Sequence, residues 1–116
     1  MWPRWDRTPW REDKGKWKQL ESDKDKMRKL FLDHIQDEAG TLKGKINEWD
    51  VINEPWSHYH FMELLGDEVI IDWFQVANQA DPGARLVLNE GNGEGRRGKN
   101  LLRLAKILLD AKAPLH

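Results

Sequence analysis

The order of the predicted elements indicates an α/β domain with parallel strands. Two short apolar runs, at residues 46–53 and 85–90, are typical of strands, and helices are expected at about 21–39, 67–80 and 98–112. Because the segment between the two strands contains a helix, it is long enough for a right-handed crossover that leaves the strands parallel. Both runs end in the same Asn-Glu dipeptide, so the unit that repeats is a strand with a polar end followed by a helix.

The first predicted strand begins at Ile46 and ends at Asn53-Glu54. Its β-branched and aromatic residues favour a strand that is covered on both faces, as in parallel sheets. Pro55 cannot donate a ladder hydrogen bond, and we expect it to hold Glu54 in an extended conformation. Chemistry in α/β sheets sits at the C-terminal ends of strands, so Glu54 is a candidate acid/base. A structural or surface glutamate is the alternative.

The N-terminal 20 residues are interpreted as an irregular loop, because two prolines and many charges oppose regular structure. Four of the seven tryptophans of the chain lie here. They either pin the loop to the body of the domain or form a platform for a ligand, and the residues leave both interpretations open.

The helix predicted at 21–39 has candidate caps at both ends. Ser22 or Asp23 can cap its N-terminus, and Gly40 is expected to end it in a left-handed conformation. Within it, His34 lies on the predicted apolar stripe and is expected to be a hydrogen-bonded core histidine rather than a ligand. The stripe consists of Met27, Leu30, Phe31, His34 and Ile35.

The second half of the chain predicts two further buried helical faces. A short helix is expected at 61–65, and the helix at 67–80 should bury Ile70, Trp73, Phe74 and Ala77. The last helix should bury Leu101, Leu102, Leu104, Ala105, Leu108 and Leu109. The glycine-rich loop at 91–98 allows phosphate binding as an alternative function, although its spacing matches neither a Walker loop nor a dinucleotide fingerprint.

Composition excludes several classes of function. The net charge is -1, from 19 basic and 20 acidic residues, which gives no bias toward nucleic acid or membrane partners. The absence of cysteine excludes a disulfide framework, thiol catalysis and Cys-based zinc sites. No apolar run approaches the ~20 residues of a membrane span. His58 and His60 lack further ligands nearby in sequence, so we predict no metal and no cofactor.

The run Trp49-Asp50-Val51-Ile52-Asn53-Glu54 resembles glycoside hydrolase family 10, the endo-β-1,4-xylanases. The likeness covers about 34–114, including Gly66-Asp67-Glu68, Ala80-Asp81-Pro82 and Asn89-Glu90. The family fold is a TIM (β/α)8 barrel. The resemblance therefore implies that residues 1–116 are a partial catalytic domain, from the end of strand three to helix five, which needs the remainder of the barrel for a complete site.

The resemblance also implies roles for individual residues. Glu54 matches the general acid/base of the family, and Asn53 matches the amide that binds the 2-hydroxyl of the sugar being cleaved. Trp2 matches, more loosely, a tryptophan that lines the same subsite. Asn89 and Glu90 stand where the family has an Asn-Asp pair on the leaving-group side.

The chain departs from the family pattern at several points. The family nucleophile is a glutamate at the end of strand seven, beyond the strands in this chain. Gly91 stands where a tyrosine is often found, and Pro3 replaces a usual histidine.

The implied function is retaining hydrolysis of xylan or a related β-1,4-glycan by a secreted or periplasmic enzyme, with this chain inactive alone. The alternative is a non-catalytic carbohydrate-binding barrel remnant.

Overall fold

The computed structural model describes residues 14–57, 59–91 and 94–116, and the side chains from residue 18 onward within them. The two strands form one parallel pair, joined by a connection that contains two helices. This confirms the predicted α/β order with parallel strands. The elements are α1 (Lys14–Ser22), α2 (Lys24–Thr41), β1 (Glu48–Asn53), α3 (His60–Leu65), α4 (Val69–Ala80), β2 (Arg85–Asn89) and α5 (Gly95–Asp110).

The register of the sheet places equivalent polar residues side by side at both of its ends. Glu48 lies beside Arg85 at the start, and Asn53 lies beside Asn89 at the finish. Arg85 and Asn89 are four residues apart on a regular strand, so they share a face. Glu48 and Asn53 are five residues apart, so simple alternation would put them on opposite faces.

A β-bulge in β1 removes this conflict. The register shifts between Asp50 and Ile52, which leaves Val51 as the extra residue. Val51 and Ile52 are consecutive and both are buried, as expected where a bulge resets the alternation of side chains. The bulge therefore returns Asn53 to the face that carries Asn89.

The core lies between the sheet and the helices α2, α3, α4 and α5. Phe31 of α2 packs edge-on against Phe61 of α3, with ring centroids 4.7 Å apart, and lies 5.1 Å from Trp73 of α4. Such aromatic contacts stabilise the fold beyond what the burial of apolar area contributes. The predicted inner face of α4 is confirmed, because all four of its residues are buried: Ile70, Trp73, Phe74 and Ala77.

The helix α1 was not predicted, and the boundaries of α2 differ from the prediction. Residues from Lys14 onward are helical, so the predicted irregular loop is wrong for 14–20, and residues 1–13 lie outside the described part. Asp23 is the N-cap of α2, accepting a hydrogen bond from the Lys26 amide at 3.0 Å. The expected stop at Gly40 is wrong, because α2 runs through it to Thr41.

His34 is not a core residue. Its side chain is 46% exposed and its Nε2 lies 3.3 Å from the Glu38 carboxylate. The buried stripe of α2 repeats every four residues and is narrower than predicted, which leaves His34 and Leu30 at its edge. The stripe consists of Met27, Phe31, Ile35 and Ala39.

On α5, the prediction that every leucine is buried is wrong. Leu104 and Leu108 are fully buried, whereas Leu102 and Leu109 are 71% and 62% exposed. Leu102 and Leu109 are seven residues apart, so they lie on one side of the helix, turned away from the buried pair. None of the helices in the described residues is long and apolar enough to cross a membrane.

After α5 the chain returns to the sheet. The His116 amide donates to the Leu86 carbonyl at 2.9 Å, and the Leu86 amide donates to Nδ1 of His116 at 3.0 Å. The amide and carbonyl of one strand residue point to the same side. The end of the chain therefore lies along the edge of β2 that faces away from β1.

Asp81, between α4 and β2, is a buried hydrogen-bond acceptor that ties the start of the sheet together. Its residue is 1% exposed. One carboxylate oxygen accepts from the indole Nε1 of Trp49 at 3.2 Å, and the other accepts from the Gly44 amide at 3.3 Å. These contacts fix the beginning of β1 against the turn that precedes β2.

Replacing Asp81→Ala should lower the free energy of unfolding by about 3 kcal/mol, because the indole N–H of Trp49 would stay buried without an acceptor. Urea denaturation measures this change. The matched control is Asp110→Ala, which removes a carboxylate that is 65% exposed and paired with Lys106. That change should cost no more than about 0.5 kcal/mol. Equal losses at the two positions would contradict the role given to Asp81.

A polar cluster joins the starts of α3 and α4 to α5. The Asp67 carboxylate accepts hydrogen bonds from the Tyr59 hydroxyl and from Arg103. Arg103 also donates to the Tyr59 oxygen at 3.2 Å and to Asn100 Oδ1 at 2.7 Å. Burial first, and then the hydrogen bond to Asp67, raise the pKa of Tyr59 above its ordinary value of 10.0.

Tyr59 is the single tyrosine of the chain, so its ionisation can be followed directly by phenolate absorbance. The midpoint should lie higher in the folded chain than in urea. Because the folded pKa is raised, the stabilisation from this proton is complete below about pH 10 and is lost as the pH rises through the folded pKa. Tyr59→Phe should remove that part of the alkaline loss of stability. Equal midpoints with and without urea would refute the assignment.

Candidate active site

The predicted site residues meet at the C-terminal edge of the parallel pair. Asn53 and Asn89 are register partners, and Nδ2 of Asn89 donates to Oδ1 of Asn53 at 2.7 Å. Glu54 and Glu90 follow them directly. Four of the five predicted residues are therefore brought together, whereas Trp2 lies outside the described residues.

The backbone of Glu54 both closes the sheet and opens a turn. Its amide donates to the Asn89 carbonyl at 2.8 Å, and its carbonyl accepts from the Ser57 amide at 3.0 Å. Its φ is 50°, in the left-handed region, so the expectation of an extended Glu54 before Pro55 is wrong. This conformation costs an ordinary residue roughly 1–2 kcal/mol. Such strain in non-glycine residues is concentrated at functional sites.

The Glu54 side chain lies against Gly91, at the start of the loop after β2. A Cβ atom built on Gly91 would stand 2.8 Å from Oε1 of Glu54, closer than real Cβ contacts allow. The residue is half-buried, so its carboxyl group is neither sealed in the core nor free in solvent. The missing side chain at residue 91 is what leaves room for the carboxylate there.

The Glu90 side chain is fully buried, and its carboxylate binds backbone amides. Oε2 accepts from the Trp56 amide and Oε1 from the Gly91 amide, each at 3.1 Å. Nη1 of Arg97 lies 3.8 Å from Oε1. Glu90 therefore ties the loop after β1 to the loop after β2. Sequence reasoning placed it on the leaving-group side, and that role stays a prediction.

Sequence reasoning did not find the partners of Glu90. Trp56 and Arg97 gave no signal, because one contributes a backbone amide and the other a long side chain from α5. The sequence does show that Gly91 replaces the expected tyrosine, and this is the position that lies against Glu54.

The arrangement combines a half-buried carboxyl with a pair of amides. A carboxyl held this way can move a proton to or from a bound group, and amides can bind hydroxyls. Within the described part of the chain, no three His, Asp or Glu side chains are grouped to hold a metal ion. His58 lies outside that part.

The sequence matches the model of glycosyl hydrolase family 10 over residues 6–116. An endo-1,4-beta-xylanase A from Humicola insolens is 35% identical over 94% of this chain and 30% of that protein. An endo-1,4-beta-xylanase A from Phanerodontia chrysosporium is 38% identical over 70% of this chain and 23% of that protein. The chain thus spans about a third or less of the length of these relatives.

Solved structures agree on the fold. A GH10 endoxylanase from a sugarcane soil metagenome superposes with a TM-score of 0.68 at 28% identity, covering 80% of this chain and 29% of that one. A xylanase from Paenibacillus barcinonensis, in complex with a conduramine derivative, gives 0.67 at 29% identity, covering 80% and 31%. The predicted fold class, part of a (β/α)8 barrel, is confirmed. The chain belongs to glycosyl hydrolase family 10.

Proposed function

We propose that this chain supplies the acid/base part of the active site of a retaining endo-β-1,4-xylanase, with Glu54 as the general acid/base. One observation carries this proposal. The Glu54 carboxylate stands at the C-terminal end of a parallel strand, in a strained backbone, next to the hydrogen-bonded pair of Asn53 and Asn89. The support from outside the structure is family membership, since the relatives named above are endo-1,4-beta-xylanases.

In the proposed reaction, Glu54 protonates the oxygen of the glycosidic bond as that bond breaks. A second carboxylate attacks the anomeric carbon and forms a glycosyl-enzyme, which water then hydrolyses with Glu54 acting as base. The two carboxyl groups must stand about 5–5.5 Å apart for this retaining course. Glu90 is an unsuitable nucleophile, because its carboxylate is buried and bonded to two backbone amides.

The nucleophile is therefore proposed to come from strand seven of the barrel, as the family resemblance implies. That strand lies outside the two strands described here. The proposed substrate is xylan or a related β-1,4-glycan, and the whole enzyme is proposed to be secreted or periplasmic. Residues 1–116 then form part of one catalytic domain.

The amide pair defines the orientation of the Asn53 side chain. Its Oδ1 is occupied by Asn89, so its Nδ2 remains as the donor on the opposite side of the amide group. A donor in that place suits the proposed contact with the 2-hydroxyl of the cleaved sugar. Trp2 is proposed to line the same subsite, and Asn89 and Glu90 to lie on the leaving-group side.

A non-catalytic carbohydrate-binding remnant is the competing function. Such a protein would keep the cleft at the strand ends and bind xylo-oligosaccharides without hydrolysing them. The experiment that separates the two functions is xylan hydrolysis by the protein expressed from its complete reading frame. Binding of xylohexaose without release of reducing sugar would favour the remnant.

Glu54→Gln should reduce the hydrolysis of xylan by about a hundredfold or more, because the amide cannot protonate the leaving oxygen. Glycosylation by an activated aryl xyloside should fall much less, since its leaving group needs little protonation. Steady-state and burst kinetics on both substrates measure the difference. The matched control is Glu48→Gln at the opposite end of β1, which should leave both rates near those of the wild type. Equal loss on the two substrates would count against an acid role.

A further inference from the structure

We propose that the three consecutive residues Asn89, Glu90 and Gly91 form a positioning segment that sets the location of the Glu54 carboxylate. Each residue of the segment acts on a different part of the turn that carries Glu54. The catalytic meaning of this inference rests on the proposed function, whereas the geometric claim can be tested without activity. None of the three needs to touch the substrate to serve this role.

Asn89 fixes the backbone from which the Glu54 side chain departs. Its carbonyl accepts the Glu54 amide at 2.8 Å, so the ladder continues one residue past the end of β1. Its side chain holds Asn53, the residue just before. The Cα of Glu54 is therefore anchored to β2 both through the ladder and through the amide pair.

Glu90 fixes the turn on the other side of Glu54. Its two oxygens accept one backbone amide each, from Trp56 and from Gly91, and Arg97 provides a positive charge 3.8 Å away. A buried carboxylate is stable only with such partners. A glutamine cannot reproduce this pattern, because it has one acceptor oxygen and its NH₂ group would face one of the two amides.

Gly91 fixes the side chain itself. The 2.8 Å between a Cβ at residue 91 and Oε1 of Glu54 means that any other residue must displace the carboxylate or itself move. The glutamate terminus is flexible, so the expected response is that the carboxylate moves while the fold is retained. Gly91 thereby keeps open the position in which Glu54 stands.

The chain offers matched controls for both substitutions. Glu48 lies 3.6 Å from Arg85 at the opposite end of the sheet, and its side chain is 50% exposed. Gly83, in the turn before β2, has no atom within 4 Å of an added Cβ. Glu48→Gln makes the same change of residue as Glu90→Gln, and Gly83→Ala makes the same change as Gly91→Ala. Both control positions lie away from Glu54.

The first test is NMR spectroscopy of the protein expressed from its complete reading frame. Glu90→Gln should accelerate hydrogen exchange of the Trp56 or Gly91 amide by about tenfold or more. Glu90→Asp, which keeps both acceptor oxygens, should restore part of the protection and serves as the test if Glu90→Gln does not fold. Gly91→Ala should move the ¹³Cδ resonance of Glu54 with the melting temperature close to that of wild type.

The second test compares substrates in the protein from the complete reading frame. Gly91→Ala should lower kcat on xylan by about tenfold or more, as expected for a displaced catalytic group. The loss on an activated aryl xyloside should be smaller, and KM should change little. A merely structural defect would lower both rates together.

The positioning role is overturned if Glu90→Gln and Gly91→Ala match their controls in amide exchange and in the Glu54 resonance. It is equally overturned if Gly91→Ala lowers the rates on both substrates by the same factor. Failure of the proposed function gives a different result, namely wild-type hydrolysis by Glu54→Gln. In that case the NMR measurements still decide whether the segment positions residue 54.

Discussion

The candidate site depends on the parallel pairing of β1 with β2 and on the bulge within it. The pairing brings Asn53 next to Asn89, and the Glu54 amide then bonds to the Asn89 carbonyl. Without the extra residue at Val51, the alternation of side chains would turn Asn53 toward the helices. One irregular position in the middle of a strand thus decides which face its functional end presents.

The periodic features were predictable from the sequence because burial dictates them. The inner face of α4 follows the helical repeat, and both strands follow short apolar runs that end before polar pairs. The same reasoning failed where the environment is set by distant parts of the chain. Leu102 and Leu109 are of a residue type that is usually buried, but they lie on the outer side of α5. Gly40 is of a residue type that often ends helices, but α2 continues past it to Thr41.

The positions of the site residues were predictable, but their support was not. The sequence predicts two parallel strands that both end in Asn-Glu, and this places the four residues at strand ends. The left-handed φ of Glu54 and the buried Glu90 carboxylate depend on contacts between loops that are far apart in sequence. Pro55 favours an extended neighbour, but closure of the turn at Ser57 outweighs that local preference.

The backbone of Glu54 has a consequence for engineering. A glycine at this position would adopt a φ of 50° without the steric penalty that a glutamate bears, and asparagine tolerates it better than most residues. Selection of random variants for thermal tolerance alone would therefore enrich such replacements and erase the carboxylate. A stabilised form of this domain is better sought in the helices, with residue 54 held constant during the screen.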